Sequence, residues 1–129
     1  MNHPLTHATL ISLLENHLVM NLARLKCLSQ ILLALIEVRS ANLAKLSGFL
    51  PSKATLESRY RRLQRFMKEI HFPPQCLARL LLEIMEVKAE EKLTLILDRT
   101  NWKFGKKDCN ILYLAVAHQG TAIPLFGLF

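Results

Sequence analysis

The chain has 129 residues, is 51% hydrophobic and carries a formal net charge of +7, from 17 Lys and Arg against 10 Asp and Glu. That length holds one domain, or one small domain and part of a second. The basic balance favours an anionic partner, and charge alone does not choose between nucleic acid and a membrane surface.

The first cation is Arg24, so the N-terminus lacks the basic segment of a signal peptide. The longest apolar run in the helical part, Ile31 to Ile36, is far shorter than the ~20 residues that cross a bilayer. A cytoplasmic protein with no membrane partner is expected. Cys27, Cys76 and Cys109 are odd in number and widely spaced, which suggests neither a disulfide framework nor a zinc knuckle. His3 and His7 are four apart, but a frayed N-terminus suits both better than a metal.

Leu5 to Met20 spaces Leu5, Leu10, Ile11, Leu13, Leu14, Leu18 and Val19 as a helix does, with Thr6 to cap it. Leu22 to Val38 predicts a second helix, apolar around much of its circumference. Ser40 is placed to cap a short third helix through Leu46, with Gly48 at its exit. The pair joined by Arg39 to Ala41 has the form of a helical hairpin, or of the start of a helix-turn-helix.

A fourth helix is expected between Pro51 and Phe72-Pro73-Pro74, capped by Ser52 or Thr55. Leu56, Tyr60, Leu63, Met67 and Ile70 give it one apolar face. Arg59, Arg61, Arg62, Arg65 and Lys68 occupy much of the rest, with Lys53 just upstream and only Glu57 and Glu69 opposing them. A basic ridge about 15 Å long, at ~1.5 Å rise per residue, is suited to phosphates along a groove. Arginine favours bidentate phosphate contacts, so these six residues are the expected DNA-binding set. The competing reading is a solvated helix face.

Pro74 opens a fifth helix, Gln75 to Lys88, with Leu77, Leu80, Leu81, Ile84 and Val87 facing inward. Glu83, Glu86, Glu90 and Glu91 form a solvated acidic end rather than a carboxylate site. The period then changes to two. Leu93, Leu95 and Leu97 alternate along a strand expected to be buried and to end at Asp98. Trp102, Phe104 and Gly105 fall in the connection that follows, with Lys106, Lys107 and Asp108 beyond them. Ile111 to His118 and Thr121 to Phe129 are two further strands around a tight turn at Gln119-Gly120. An apolar last strand with nothing to cover it has the physical mark of an incomplete core. An aspartate ending an apolar strand is costly to bury unless a partner or a cation sits on it.

The segment from Leu93 to Leu125 resembles the region around the first catalytic aspartate of bacterial insertion-sequence transposases of the DDE type, the family named after insertion sequence four. The resemblance lies in Asp98-Arg99-Thr100-Asn101-Trp102, Lys103-Phe104-Gly105, Asn110-Ile111-Leu112, Gly120 and Ile123-Pro124-Leu125. Upstream, Ala34 to Leu46 and Ser58 to Glu69 also look like that family's helical N-terminal part. The resemblance implies a ribonuclease-H-like core, with Asp98 as the catalytic and metal-ligating first carboxylate of three. Together the three hold magnesium ions for phosphodiester cleavage and strand transfer. Here the only acidic residue after Asp98 is Asp108, which does not match the position of the second aspartate.

The expected architecture is therefore α+β. Residues 1–90 form a helical, DNA-binding region, and residues 91–129 form three antiparallel strands of a truncated ribonuclease-H-like core. The expected function is that of a transposase acting on transposon ends, from a truncated, frameshifted or decayed gene and inactive alone. The alternative is a non-catalytic DNA-binding protein that competes or associates with intact transposase.

Overall fold

The structure, a computed structural model, describes residues 6–128. Five helices precede a three-stranded antiparallel sheet: α1 (His7–His17), α2 (Leu22–Val38), α3 (Leu43–Phe49), α4 (Leu56–Glu69), α5 (Pro74–Ile84), β1 (Leu95–Phe104), β2 (Lys107–His118) and β3 (Thr121–Leu128). The α+β order expected from the sequence is the order found. The chain divides into two compact units, one ending at His71 and the other beginning at Phe72. That division falls earlier than the change of period near residue 90, because α5 packs against β3 and so groups with the sheet.

The helical unit is built on caps that the sequence supplies. Thr6 caps α1, accepting from Thr9 N–H while Thr9 Oγ1 accepts from Thr6 N–H. The helix stops at His17, short of the expected Met20, and Val19 is fully exposed rather than packed. Leu5 lies outside the described residues. Asn21 caps α2, and Arg39 ends it in the left-handed conformation at φ 52°. Asn42, rather than Ser40, caps α3, because its Oδ1 accepts from both Ala44 and Lys45 N–H. Ser40 Oγ accepts from Asn42 N–H instead. Gly48 sits inside α3, whose end comes at Leu50.

Leu10, Leu14, Leu25, Ile31, Leu46, Leu50, Leu63 and Phe66 supply this unit's core. On α4, Leu63 is 0% exposed and Phe66 is buried with it, whereas Leu56 and Met67, expected on the same face, lie more than half exposed. The buried stripe is thus rotated toward Phe66; α4 packs against α3, and Phe66 forms a wall of the cleft shared with α2. No single described helix is long and apolar enough to cross a membrane, and α2 and α3 meet that mark only together across a 104° bend.

In the second unit, Pro74 occupies the first turn of α5, where its missing N–H costs no hydrogen bond. The helix ends at Ile84, four residues before the expected Lys88, and Glu86 turns the chain at φ 55°. The sheet is a meander in the order β1-β2-β3. Gln119 and Gly120, at φ 48° and 77°, make the two-residue β2–β3 turn, whose positive φ values match the twist of antiparallel strands. A register shift between Leu114 and Ala115 sets Ala115 opposite Pro124. Pro124 lies on an edge strand, where a missing N–H is tolerated.

Two expectations for β1 are corrected. The strand does not end at Asp98 but runs on through Trp102 to Phe104, paired with β2 from Leu95↔Val116 to Phe104↔Lys107. The turn is at Gly105, where φ is 61°, and β2 starts at Lys107. Nor is the strand buried: Leu97 is 68% exposed and Leu95 is more than half exposed. Both sit on the edge strand away from β3, the strand that α5 packs against. Only Ala115 and Val116 of the sheet are fully buried among the described residues.

Leu63→Ala is therefore expected to cost about 2–5 kcal/mol in urea denaturation, since a sealed side chain leaves a cavity. Leu97→Ala should stay within about 0.5 kcal/mol of wild type, as exposed substitutions do. Equal losses would contradict this placement of the core.

Candidate nucleic-acid interface

The cations expected to bind DNA are not all brought to one surface. Arg61, Arg65 and Lys68 recur at four- and three-residue steps, so they share a helix face that lies opposite Leu63 and Phe66. With Ser58 and Gln64 they line one open concave surface. Thr55 fixes the start of this helix by accepting from Ser58 N–H at 3.3 Å. Glu57 pairs with Arg61 across one helical turn, both side chains being more than 70% exposed. Such a pair is weak and screened by salt, so it leaves the guanidinium able to exchange partners.

Arg59 faces elsewhere. Its Nη1 donates to Leu50 O at 3.0 Å and to Gly48 O at 3.4 Å. These are carbonyls at the C-terminal end of α3, where no intrahelical donor remains and a cation is favoured. Arg59 ties α4 to α3 and is not brought to the concave surface. Lys53 is exposed on the α3–α4 connection, outside that surface.

Arg62 faces α2. With Arg24, Cys27, Arg65 and Phe66 it lines a cleft between the two helices. Burial pushes the Cys27 thiol up from its ordinary range, and the Arg62 guanidinium partly offsets that by its charge and a hydrogen bond. The sequence does not mark Arg24 as a neighbour of these arginines, because its place beside α4 depends on how α2 packs. Ser58 and Gln64 carry no charge, so their spacing from Arg61 and Lys68 is the one signal that sets them on this face.

Asp98 stands on the exposed surface of β1, directly across from Tyr113. Its Oδ1 accepts from Arg99 N–H at 2.7 Å, and its Oδ2 accepts from Tyr113 O–H at 3.1 Å. That bond, and the carboxylate charge behind it, hold the Tyr113 phenol above the ordinary tyrosine range. Among the described residues, no group of three or more His, Cys, Asp or Glu side chains comes together to hold a metal ion. Magnesium keeps most of its waters and needs more than one monodentate carboxylate for firm binding, so the donors here do not fit a divalent-metal centre. Asp108, opposite Lys103 near the hairpin turn, is ten residues from Asp98 and does not join it.

Comparisons of the chain with protein-family models, with curated proteins and with solved structures gave no match.

Two outcomes are expected. Asp98→Asn should bring the ultraviolet titration midpoint of Tyr113 down, since the carboxylate that stabilises the protonated phenol is gone; an unmoved midpoint would show that the contact is absent in solution. Arg59→Ala should lower stability by about 1–2 kcal/mol in chemical denaturation, through the carbonyls it leaves without a donor. No loss would remove its tying role and return it to the pool of free cations.

Proposed function

We propose that this chain is a DNA-binding component of a transposition system of the DDE insertion-sequence type, with α4 as the element that meets DNA. The observation that carries the reading is the two-sidedness of α4. One side is held by buried Leu63 and Phe66, and the other presents Arg61, Arg65 and Lys68 without a packed neighbour over them. A rigid helix with a row of cations is a form that neutralises successive phosphates and releases their counterions. The overall charge of +7 adds long-range attraction to the same partner.

The resemblance of Asp98-Arg99-Thr100-Asn101-Trp102 and its flanking strands to the family's first catalytic motif supports the transposase part of the reading. Under it, the second unit is the opening meander of a ribonuclease-H-like core, and Asp98 stands at the place of the family's first carboxylate. Since one carboxylate does not make the site, no cleavage step is assigned to this chain by itself. A second reading, a DNA-binding protein that competes with intact transposase at transposon ends, is favoured by one detail. Both Asp98 oxygens already accept hydrogen bonds from Arg99 and Tyr113.

Duplex DNA titrated by fluorescence anisotropy should bind with a log–log salt slope of about −3, from roughly three phosphate contacts at −0.9 each. Arg61→Ala combined with Lys68→Ala should flatten that slope by about 2. An unchanged slope would remove α4 from the interface. With magnesium added, the purified chain should bind DNA without nicking it. Nicking that disappears in Asp98→Ala would contradict the incomplete site.

A further inference from the structure

Arg24 belongs to the first turn of α2, 37 residues before Arg61, and no charge run or motif marks it. Packing nevertheless brings it to the arginines of α4. Arg24, Arg62 and Arg65 line a cleft of about 220 Å³ between α2 and α4, with Phe66 and Cys27 among its walls. The apolar wall matters, because a charge beside low-dielectric surface is screened less than one in open water.

One carboxylate enters the cleft. Glu69 Oε2 lies 3.7 Å from Arg24 Nη2, with both side chains about half exposed. At that distance and exposure the pair is loose, and it leaves two of the three guanidiniums without an acidic partner in the cleft. Arg65 also lines the neighbouring surface with Arg61 and Lys68, so the two surfaces are continuous through one side chain.

We propose that the α2–α4 cleft seats a phosphodiester of duplex DNA, held by Arg24, Arg62 and Arg65, while the backbone continues over Arg61 and Lys68. This rests on the reading of α4 as the DNA-contacting helix and adds a second helix to the interface. Arginine forks match phosphate oxygens bidentately, so convergence of three from two helices fixes where the backbone crosses as well as attracting it. Glu69 acts as the internal competitor that phosphate displaces from Arg24.

The test is anisotropy of a labelled duplex across about 50–200 mM salt, with wild type, Arg24→Ala, Arg61→Ala and Glu69→Gln. Arg24→Ala should weaken binding several-fold and make the slope shallower by less than about 1, because Arg62 and Arg65 still hold the phosphodiester. Glu69→Gln should tighten binding several-fold. If Arg61→Ala flattens the slope while Arg24→Ala and Glu69→Gln leave binding unchanged, the cleft assignment falls and the α4 reading stands. If wild type does not bind duplex at all, both fall. Should Arg24→Ala lose its helical circular dichroism, Glu69→Gln decides alone: tighter binding supports the cleft, and unchanged binding overturns it. Calorimetric titration with inorganic phosphate separates the remaining source. Tight phosphate binding that Arg24→Ala abolishes, with the DNA slope unmoved, would assign the cleft to a small phosphate ligand and overturn the proposal.

Discussion

The burial of Leu63 and Phe66 is the constraint on which the helical unit depends. These two side chains fix the rotation of α4 about its own axis, and that rotation decides where every other residue of the helix points. Because a helix repeats every 3.6 residues, seating Leu63 inward places Arg61, Arg65 and Lys68 outward as a set. Arg59 reinforces the arrangement from the α3 side by donating to Leu50 O and Gly48 O. Core packing and the presentation of charge are therefore one event. A substitution that rotated or loosened α4 would scatter the cations without touching any of them.

The second unit has a different balance. Its backbone is well provided for: a paired meander, a tight turn at Gln119-Gly120 with both φ values positive, and a proline confined to an edge. Its side chains are less so, with Leu95, Leu97, Trp102 and Leu128 all more than half exposed. Exposed apolar residues in such density mark a surface that associates or aggregates unless something covers it. Asp98 sits on this sheet as an exposed carboxylate with two hydrogen-bond donors, Arg99 N–H and Tyr113 O–H.

What the sequence made legible follows from the range of the physics involved. Helix existence, a cap for α4 at Ser52 or Thr55, the Gln119-Gly120 turn and the three-strand order all rest on residues close together in the chain, and all are found, with Thr55 as the cap. The full length of β1 is hidden by the polar run Asp98 to Asn101, which interrupts the apolar pattern before Trp102 and Phe104 resume the alternation. Asn101 to Phe104 are held extended by pairing with Lys107 to Asn110, which local pattern does not encode. The same limit applies to the candidate interface. The basic ridge was legible as one set of six, Lys53, Arg59, Arg61, Arg62, Arg65 and Lys68, whereas the turning of Arg59 toward α3 and the arrival of Arg24 beside Arg62 depend on tertiary packing. Nor did the alternation of leucines in β1 say whether any element would cover them.

Contact between the outward face of α4 and DNA is tested by a photo-crosslinking residue placed at Gln64, among the cations, compared with the same residue placed at Ser12, exposed on α1 of the same unit and outside both basic surfaces. If α4 meets DNA, irradiation gives products between duplex DNA and the protein labelled at position 64, suppressed by salt, and little from position 12. Equal yields at both positions, or products from position 12 alone, would contradict that contact.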